Sequence, residues 1–301
     1  MSDDFSFSYP RYLEAKKTVD ERSLNDDVWA AFLDRIEAAS GSLKILDVGG
    51  GTGATLLRLL DAAPERSFRQ IDYTLIDPEA DNLSTAADNV SAWAGKSGWT
   101  HRVEDSRCLL DDPRGDGRVT VQFKETGLFS HAEEAGMEVY DAIVAQAVLD
   151  LFDVRKAIRA LTPCLRSGGT WYLPIHFDGL TAFEPVIDEA VDRAIVEQYH
   201  ASIPSPRSGR ALLTALPENG TDLHRVGASD WIVLGREGGY PSDEEYFLKC
   251  ILQFIQSEIE KLERSSFSIT FREWLDRRHE QLRNGRLIYL AHQLDVCGIK
   301  R

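Results

Sequence analysis

The stretch LDVGGGTGATLL at residues 46–57 constrains this chain most, because an apolar run there ends in glycines and a helical pattern begins at once. A buried strand turning directly into a helix belongs to α/β architecture. Without Cβ atoms, Gly49, Gly51 and Gly53 let the backbone bend tightly and approach a ligand, with the N–H groups of a helix start behind them. Apolar runs at 44–50, 72–80, 119–125, 140–149 and 169–177, separated by helix-period stretches, predict five parallel strands. Two later runs, 229–234 and 286–296, bring the expected sheet to seven mostly parallel strands with helices on both faces.

Flanking segments read as helical. SLNDDVWAAFLDRIEAA carries Ser23 as a candidate N-cap, and PSDEEYFLKCILQFIQSEIEKL opens on Ser242 and Glu245 as a capping box. With FREWLDRRHEQLRNG, the latter forms a helical pair that separates the last two strands. The chain thus divides into an N-terminal cap (1–40), an α/β core (41–235), a helical insertion (236–285) and a final core strand (286–301).

The formal net charge of −15 comes without a basic tract, which argues against nucleic acid and anionic membrane surfaces as partners. No apolar run reaches the roughly 18 residues of a membrane span, and the N-terminus lacks a basic start followed by an apolar stretch. A cytoplasmic protein is expected. Cysteines 108, 164, 250 and 297 form no C-x-x-C pair, so buried thiols are expected rather than disulfides or a metal site.

Two acids frame the glycine turn. Asp77, closing the second strand, suits the two hydroxyls of a ribose. Asp47, two residues before Gly49, suits a cationic ligand and opposes a phosphate, since a pyrophosphate would sit beside its negative charge. Gly49, Gly51 and Ala54 also satisfy the G-x-G-x-x-A spacing of NAD(P)-dependent oxidoreductases, which stands as an alternative.

On these residues the chain resembles the class I S-adenosylmethionine-dependent methyltransferases, with DVGGGTG similar to their first motif over a region of likeness spanning 41–177. The later stretches AQAVLDLFD, HFDG, SDWIV and HQLD resemble a bacterial subgroup of unassigned substrate. The resemblance implies a Rossmann-like core and S-adenosylmethionine as cofactor. Asp47 would hold its methionine end, Gly49, Gly51, Thr52 and Gly53 would line it, and Asp77 would take the ribose. Ala145 and Gln146, after the fourth strand, are implied cofactor neighbours, while KETGLF after the third carries no assigned adenine contact. Asp150 also reads as the N-cap of the next turn. The implied reaction is an in-line methyl transfer to a nitrogen, oxygen or carbon of a small molecule, which requires no obligatory nucleophile or metal. A non-catalytic protein that retains the cofactor site is a further alternative.

For the acceptor, the segment after the fifth strand should lie at the pocket mouth, which makes His176, Asp178 and Glu184 candidates. Arg207 and Arg210 would suit a carboxylate-bearing substrate. Each of these residues also has an ordinary structural reading, as a satisfied loop side chain or a surface ion pair. Tyr9, Tyr12 and the helices of 242–284 are candidates for a lid.

Overall fold

The computed structural model describes residues 6–38, 41–62, 70–115, 117–261 and 265–301, with side chains omitted over 265–269. Residues 1–5 of the expected cap and 262–264 of the expected insertion lie outside the described residues.

Two helices come first, α1 (Tyr9–Ser23) and α2 (Asp26–Glu37). The start of α2 corrects the sequence reading. Ser23 closes α1, and Asn25 caps α2 by accepting from the Val28 N–H at 3.2 Å. The alternating core follows as β1 (Ser42–Val48), α3 (Ala54–Ala62), β2 (Gln70–Asp77), α4 (Ala80–Ser97), β3 (Thr100–Glu104), β4 (Arg107–Asp111), β5 (Arg118–Glu125), α5 (Leu128–Glu134), β6 (Tyr140–Val144), α6 (Val154–Leu161) and β7 (Leu165–Glu184). The chain closes with α7 (Glu189–Ser202), α8 (Ser208–Glu218), β8 (Thr221–Ala228), β9 (Trp231–Leu234), α9 (Glu244–Glu260), α10 (Ser265–Arg283) and β10 (Ile288–Lys300). Among the described residues no helix is long and apolar enough to cross a membrane.

The strands form one sheet in the order β3-β4-β5-β2-β1-β6-β7-β10-β8, with β9 also pairing β10. The five expected central strands are parallel, and the remaining pairs are antiparallel. Ten strands are present among the described residues where seven were expected. The additions, β3, β4 and β8, sit toward the two sides of the sheet, and β3 is exposed along its whole length. Such strands need little apolar sequence, so they lack the run that betrays a strand covered on both faces. The expected capping box is also absent: Asp243 occupies the N-cap of α9, and Ser242 lies at φ 50°.

Ile45 and Leu46 of β1 face opposite sides, and each side has its own core. On one, α2, α3 and α4 pack Phe32, Leu56 and Val90 against the strands; on the other, α5, α6 and α8 pack Leu128, Ile158 and Leu212. A third core arises because β7 and β10 pair antiparallel as far as Glu184 and Ile288, well past the end of β6. Against this ribbon α1, α7, α9 and α10 bury Val19, Ile195, Phe247 and Trp274.

Candidate active site

β1 lies between β2 and β6, where the sheet changes its direction of growth and a crevice opens beyond the strand ends. The turn leaving β1 runs through Gly49 (φ 62°), Gly51 (φ 54°) and Gly53 (φ 85°), a left-handed path that other residues resist. Space is short as well: a Cβ on Gly49 would stand 2.6 Å from Val148 Cγ2, and one on Gly51 would stand 2.9 Å from Leu13 Cδ1 of α1. Gly53 instead faces Ala86 of α4, so it brings two helices together without lining the crevice.

Asp77 organises the turn. Its Oδ2 accepts from the Gly51 N–H at 3.1 Å, and its Oδ1 accepts from the Glu79 N–H at 2.9 Å and from Asn82 Nδ2 at 3.0 Å. Asp47 is buried beneath the glycines, where the Tyr73 hydroxyl donates to its Oδ2 at 2.7 Å and its Oδ1 has no partner among the described residues. Burial pushes the Asp47 carboxyl up to about 7, with the Tyr73 hydrogen bond opposing and the charge of Asp77 assisting. An orphaned carboxylate oxygen under a turn with little room for side chains fits a cationic nucleoside better than a pyrophosphate.

A buried polar chain ties this turn to α1. Thr55 Oγ1 donates to Gln146 Oε1 at 2.9 Å, Gln146 Nε2 donates to Asp20 Oδ2 at 3.1 Å, and Lys16 Nζ completes a 2.9 Å ion pair with the same oxygen. The crevice under α1 is a cavity of about 1180 Å³, above the roughly 300–1,000 Å³ of an ordinary single-ligand pocket. One end is bounded by Asp47, Gly49, Gly50, Gly51, Thr52 and Asp77, with Thr126, Gly127 and Leu128 alongside. The other is walled by Tyr12, Phe177, Tyr199, Trp231, Phe254 and Tyr289. Phe247, fully buried, is the hub of that wall, with ring centroids 6.0 Å from Tyr12, 5.3 Å from Trp231 and 6.1 Å from Tyr289.

Residues 46–171, the stretch that builds the glycine turn and its two acids, match the model of a methyltransferase domain. This core is a methyltransferase domain. The chain is accordingly an S-adenosylmethionine-dependent enzyme, and the oxidoreductase alternative falls away. No curated protein matches. Among solved structures, a protein of Bacillus halodurans with a proposed methyltransferase assignment shares 13% identity at a TM-score of 0.51, covering 92% of this chain and 99% of its own. The YcgJ protein of Bacillus subtilis shares 16% identity at a TM-score of 0.48, covering 92% of this chain and 99% of its own. A methyltransferase of Thiobacillus denitrificans, solved with S-adenosyl-L-homocysteine, shares 17% identity at a TM-score of 0.49, covering 98% and 100%. At such identities the likeness is one of fold.

Within the methyltransferase domain, Gln146 lines the cavity but Ala145 does not. Ala145 is fully buried, and its carbonyl accepts from His176 Nε2 at 3.0 Å; the cavity is bounded instead by Ala147, at φ 51°, and Val148. The N-cap reading of Asp150 is also displaced, because Asp153 caps α6 by accepting from the Lys156 N–H at 3.1 Å. Asp150 belongs to the cavity wall, with Oδ1 unpartnered among the described residues.

The proposed acceptor residues lie elsewhere. β7 does not end at 177 in a loop; it continues as strand to Glu184, so alternation aims Ile175 and Phe177 at the cavity and turns His176 and Asp178 away. His176 is fully buried, and burial pushes its imidazole down to about 4, which keeps it neutral. Asp178 forms a bidentate pair with Arg210, at 2.8 Å to Nε and 2.7 Å to Nη2. Burial alone would raise the Asp178 carboxyl, but the Arg210 guanidinium and backbone N–H, with His292, hold it below the usual range. Glu184 is exposed and accepts from the Val186 N–H at 3.0 Å, and Arg207 is bridged to Asp178 through the backbone. None of the four, nor Arg207, lines the cavity. Phe177 and Thr181 were legible by alternation in IHFDGLT once the strand is extended, whereas Tyr199, Trp231, Phe254 and Tyr289 carry no local signal that separates them from core aromatics.

Proposed function

We propose that the chain transfers a methyl group from S-adenosylmethionine to a small molecule held against the aromatic wall. The continuity of one cavity from the glycine turn to that wall carries the proposal, since it provides room for an acceptor beside the cofactor. When bound, S-adenosylmethionine supplies an electrophilic methyl group on a sulfonium.

The chain's own residues then bind, orient and exclude water. Asp77 keeps the turn in shape through three donors and retains acceptor capacity for a ribose hydroxyl. Asp47, with its unpartnered Oδ1, favours positive charge at the methionine end. Gly49, Gly51 and Thr52 bound the same space, with Gly53 supporting them through its packing on α4, and Gln146 fixes the wall opposite. Thr126, Gly127 and Leu128 offer an edge and an apolar surface to the adenine. Both the cap (1–40) and the insertion (236–285) contribute to the cavity that the core (41–235 and 286–301) opens, through Tyr9, Tyr12 and Lys16 from one and Ile251, Phe254 and Glu258 from the other. An aromatic-walled site of this kind holds reactants together and sheds water from the apolar surfaces they meet.

The test is methyl-labelled S-adenosylmethionine incubated with the protein and a cell extract separated by size. Label entering the small-molecule fraction supports the reading. Label entering only protein or nucleic acid overturns the acceptor class, and no transfer anywhere, despite S-adenosylhomocysteine binding, favours a binding protein without chemistry.

A further inference from the structure

Seven carboxylates and two lysines contribute to the cavity wall, with no arginine or histidine among its described lining residues. One lysine, Lys16, is already paired with Asp20. Such a wall repels carboxylate- and phosphate-bearing acceptors, because an anion brought into it meets unmatched negative charge. Asp47 and Asp77 belong to the glycine-turn end. Asp150, on the turn after β6, lies between the two ends: its charge acts on Tyr9 together with those of Asp77 and Glu79, and on Tyr199 together with that of Glu258. A carboxylate whose Oδ1 has no partner among the described residues therefore lies near the aromatic wall, whose tyrosines can offer a cation their rings.

We infer that the acceptor carries a basic nitrogen, seated as a cation among Tyr12, Tyr199 and Tyr289, with its N–H directed to Oδ1 of Asp150. This deepens the methyltransferase reading and rests on it. Asp150 takes the proton: the N–H bond breaks with its electron pair staying on nitrogen, the O–H bond forms, the carboxylate becomes neutral and the amine regains a nucleophilic lone pair. Burial suits the group to the task, since it pushes the Asp150 carboxyl up to about 6 against the opposing effects of its own backbone N–H and of Lys16. The titratable groups coupled to it by charge are Tyr9 and Lys16 from α1 and Tyr199 from α7, with Asp77 and Glu79 also acting on Tyr9 and Glu258 of α9 on Tyr199.

The experiment uses the full chain saturated with S-adenosylhomocysteine and three probes that share a 2-phenylethyl body: 2-phenylethylamine, 2-phenylethanol and 3-phenylpropanoate, measured by calorimetry. The amine is expected to bind about tenfold more tightly than the alcohol, and the acid not to bind. The preference should fade as pH falls through about 6. Asp150→Asn should abolish the preference and flatten this pH dependence, while leaving the melting temperature and the affinity for S-adenosylhomocysteine within about threefold of the parent. No binding of the amine, equal binding of alcohol or acid, or a preference that survives Asp150→Asn overturns the inference. A variant that keeps the melting temperature but loses S-adenosylhomocysteine returns Asp150 to the cofactor and overturns it too. Failure of the parent chain to bind S-adenosylhomocysteine sinks the cofactor assignment itself.

Discussion

The two ends of the cavity are built by different means. At the glycine turn, contiguous residues 47–55 and 77–82 do nearly all the work, and they do it through backbone: a left-handed path, strand ends and N–H groups converging on Asp77. At the aromatic wall, Tyr12, Phe177, Tyr199, Trp231, Phe254 and Tyr289 arrive from six separate elements and act through side chains alone. A site made from backbone writes itself into sequence as glycines and acids at fixed offsets from a strand, whereas a chamber of rings leaves only apolar residues that resemble core. The first should therefore be brittle and the second adaptable.

Gly49→Ala tests the brittle end hardest. An alanine at φ 62° costs about 1–2 kcal/mol of backbone strain, and its methyl would press on Val148 at 2.6 Å. We expect a lowered melting temperature and at least about a tenfold loss of S-adenosylhomocysteine affinity. Phe254→Leu at the other end should keep that affinity. If the two variants lose it equally, the contrast between the ends is false.

Asp77→Asn comes next. The Asp77 carboxylate receives donors on both oxygens, from Gly51 on one and from Glu79 and Asn82 on the other. An amide must turn its NH2 toward one of these sets, so asparagine should be no better than alanine. Loss of one charge-assisted bond and the added donor clash predict a loss of about 2 kcal/mol, roughly thirtyfold in affinity for S-adenosylhomocysteine. Calorimetry showing near-parental binding would mean that Asp77 neither shapes the turn nor meets the ribose.

How much was legible follows the same divide. The five central strands declared themselves because Ile45 and Leu46 must both be buried, one on each face, and the turn after them because left-handed backbone calls for glycine. β3 and β8, mostly exposed, had no such requirement to meet. His176, Asp178 and Glu184 were misplaced by a single assumption, that β7 stops where a core strand ordinarily would. The residues that hold β7 extended to Glu184 are its partners in β10, more than a hundred positions away, and no local pattern reveals that pairing. Ala145 and Ala147 are two residues apart and chemically identical, yet only Ala147 reaches the cavity.

Asp47 sharpens the comparison through pH. Its folded-state pKa, raised by burial to about 7, means that the empty protein holds a proton there which the unfolded chain releases near 4. This group's contribution to stability is therefore greatest below about pH 4, declines as pH rises toward 7, and stays a cost above it. A sulfonium or ammonium nearby favours the ionised form, so affinity for S-adenosylmethionine should fall up to about tenfold per pH unit below about 7, with proton release on binding. Asp47→Asn should raise the melting temperature of the empty protein at pH 8 while weakening the cofactor and removing the proton release. A parental pH dependence in that variant would place the titrating group elsewhere.

The smallest effect is expected at Arg210, and its smallness is informative. The guanidinium faces solvent and holds Asp178 on the side of β7 turned from the cavity, so Arg210→Ala should leave the affinities for S-adenosylhomocysteine and for the amine probe within about twofold. What should change is acid tolerance. Asp178 is held below its ordinary pKa, so it contributes stability that is present above the unfolded value near 4 and is lost as pH falls through the lower folded value. Without Arg210 that window closes upward, and the midpoint of acid unfolding should move to higher pH. A weakened acceptor affinity with unchanged acid unfolding would show the opposite, that the arginine reaches the substrate and that the outer face of β7 belongs to the site.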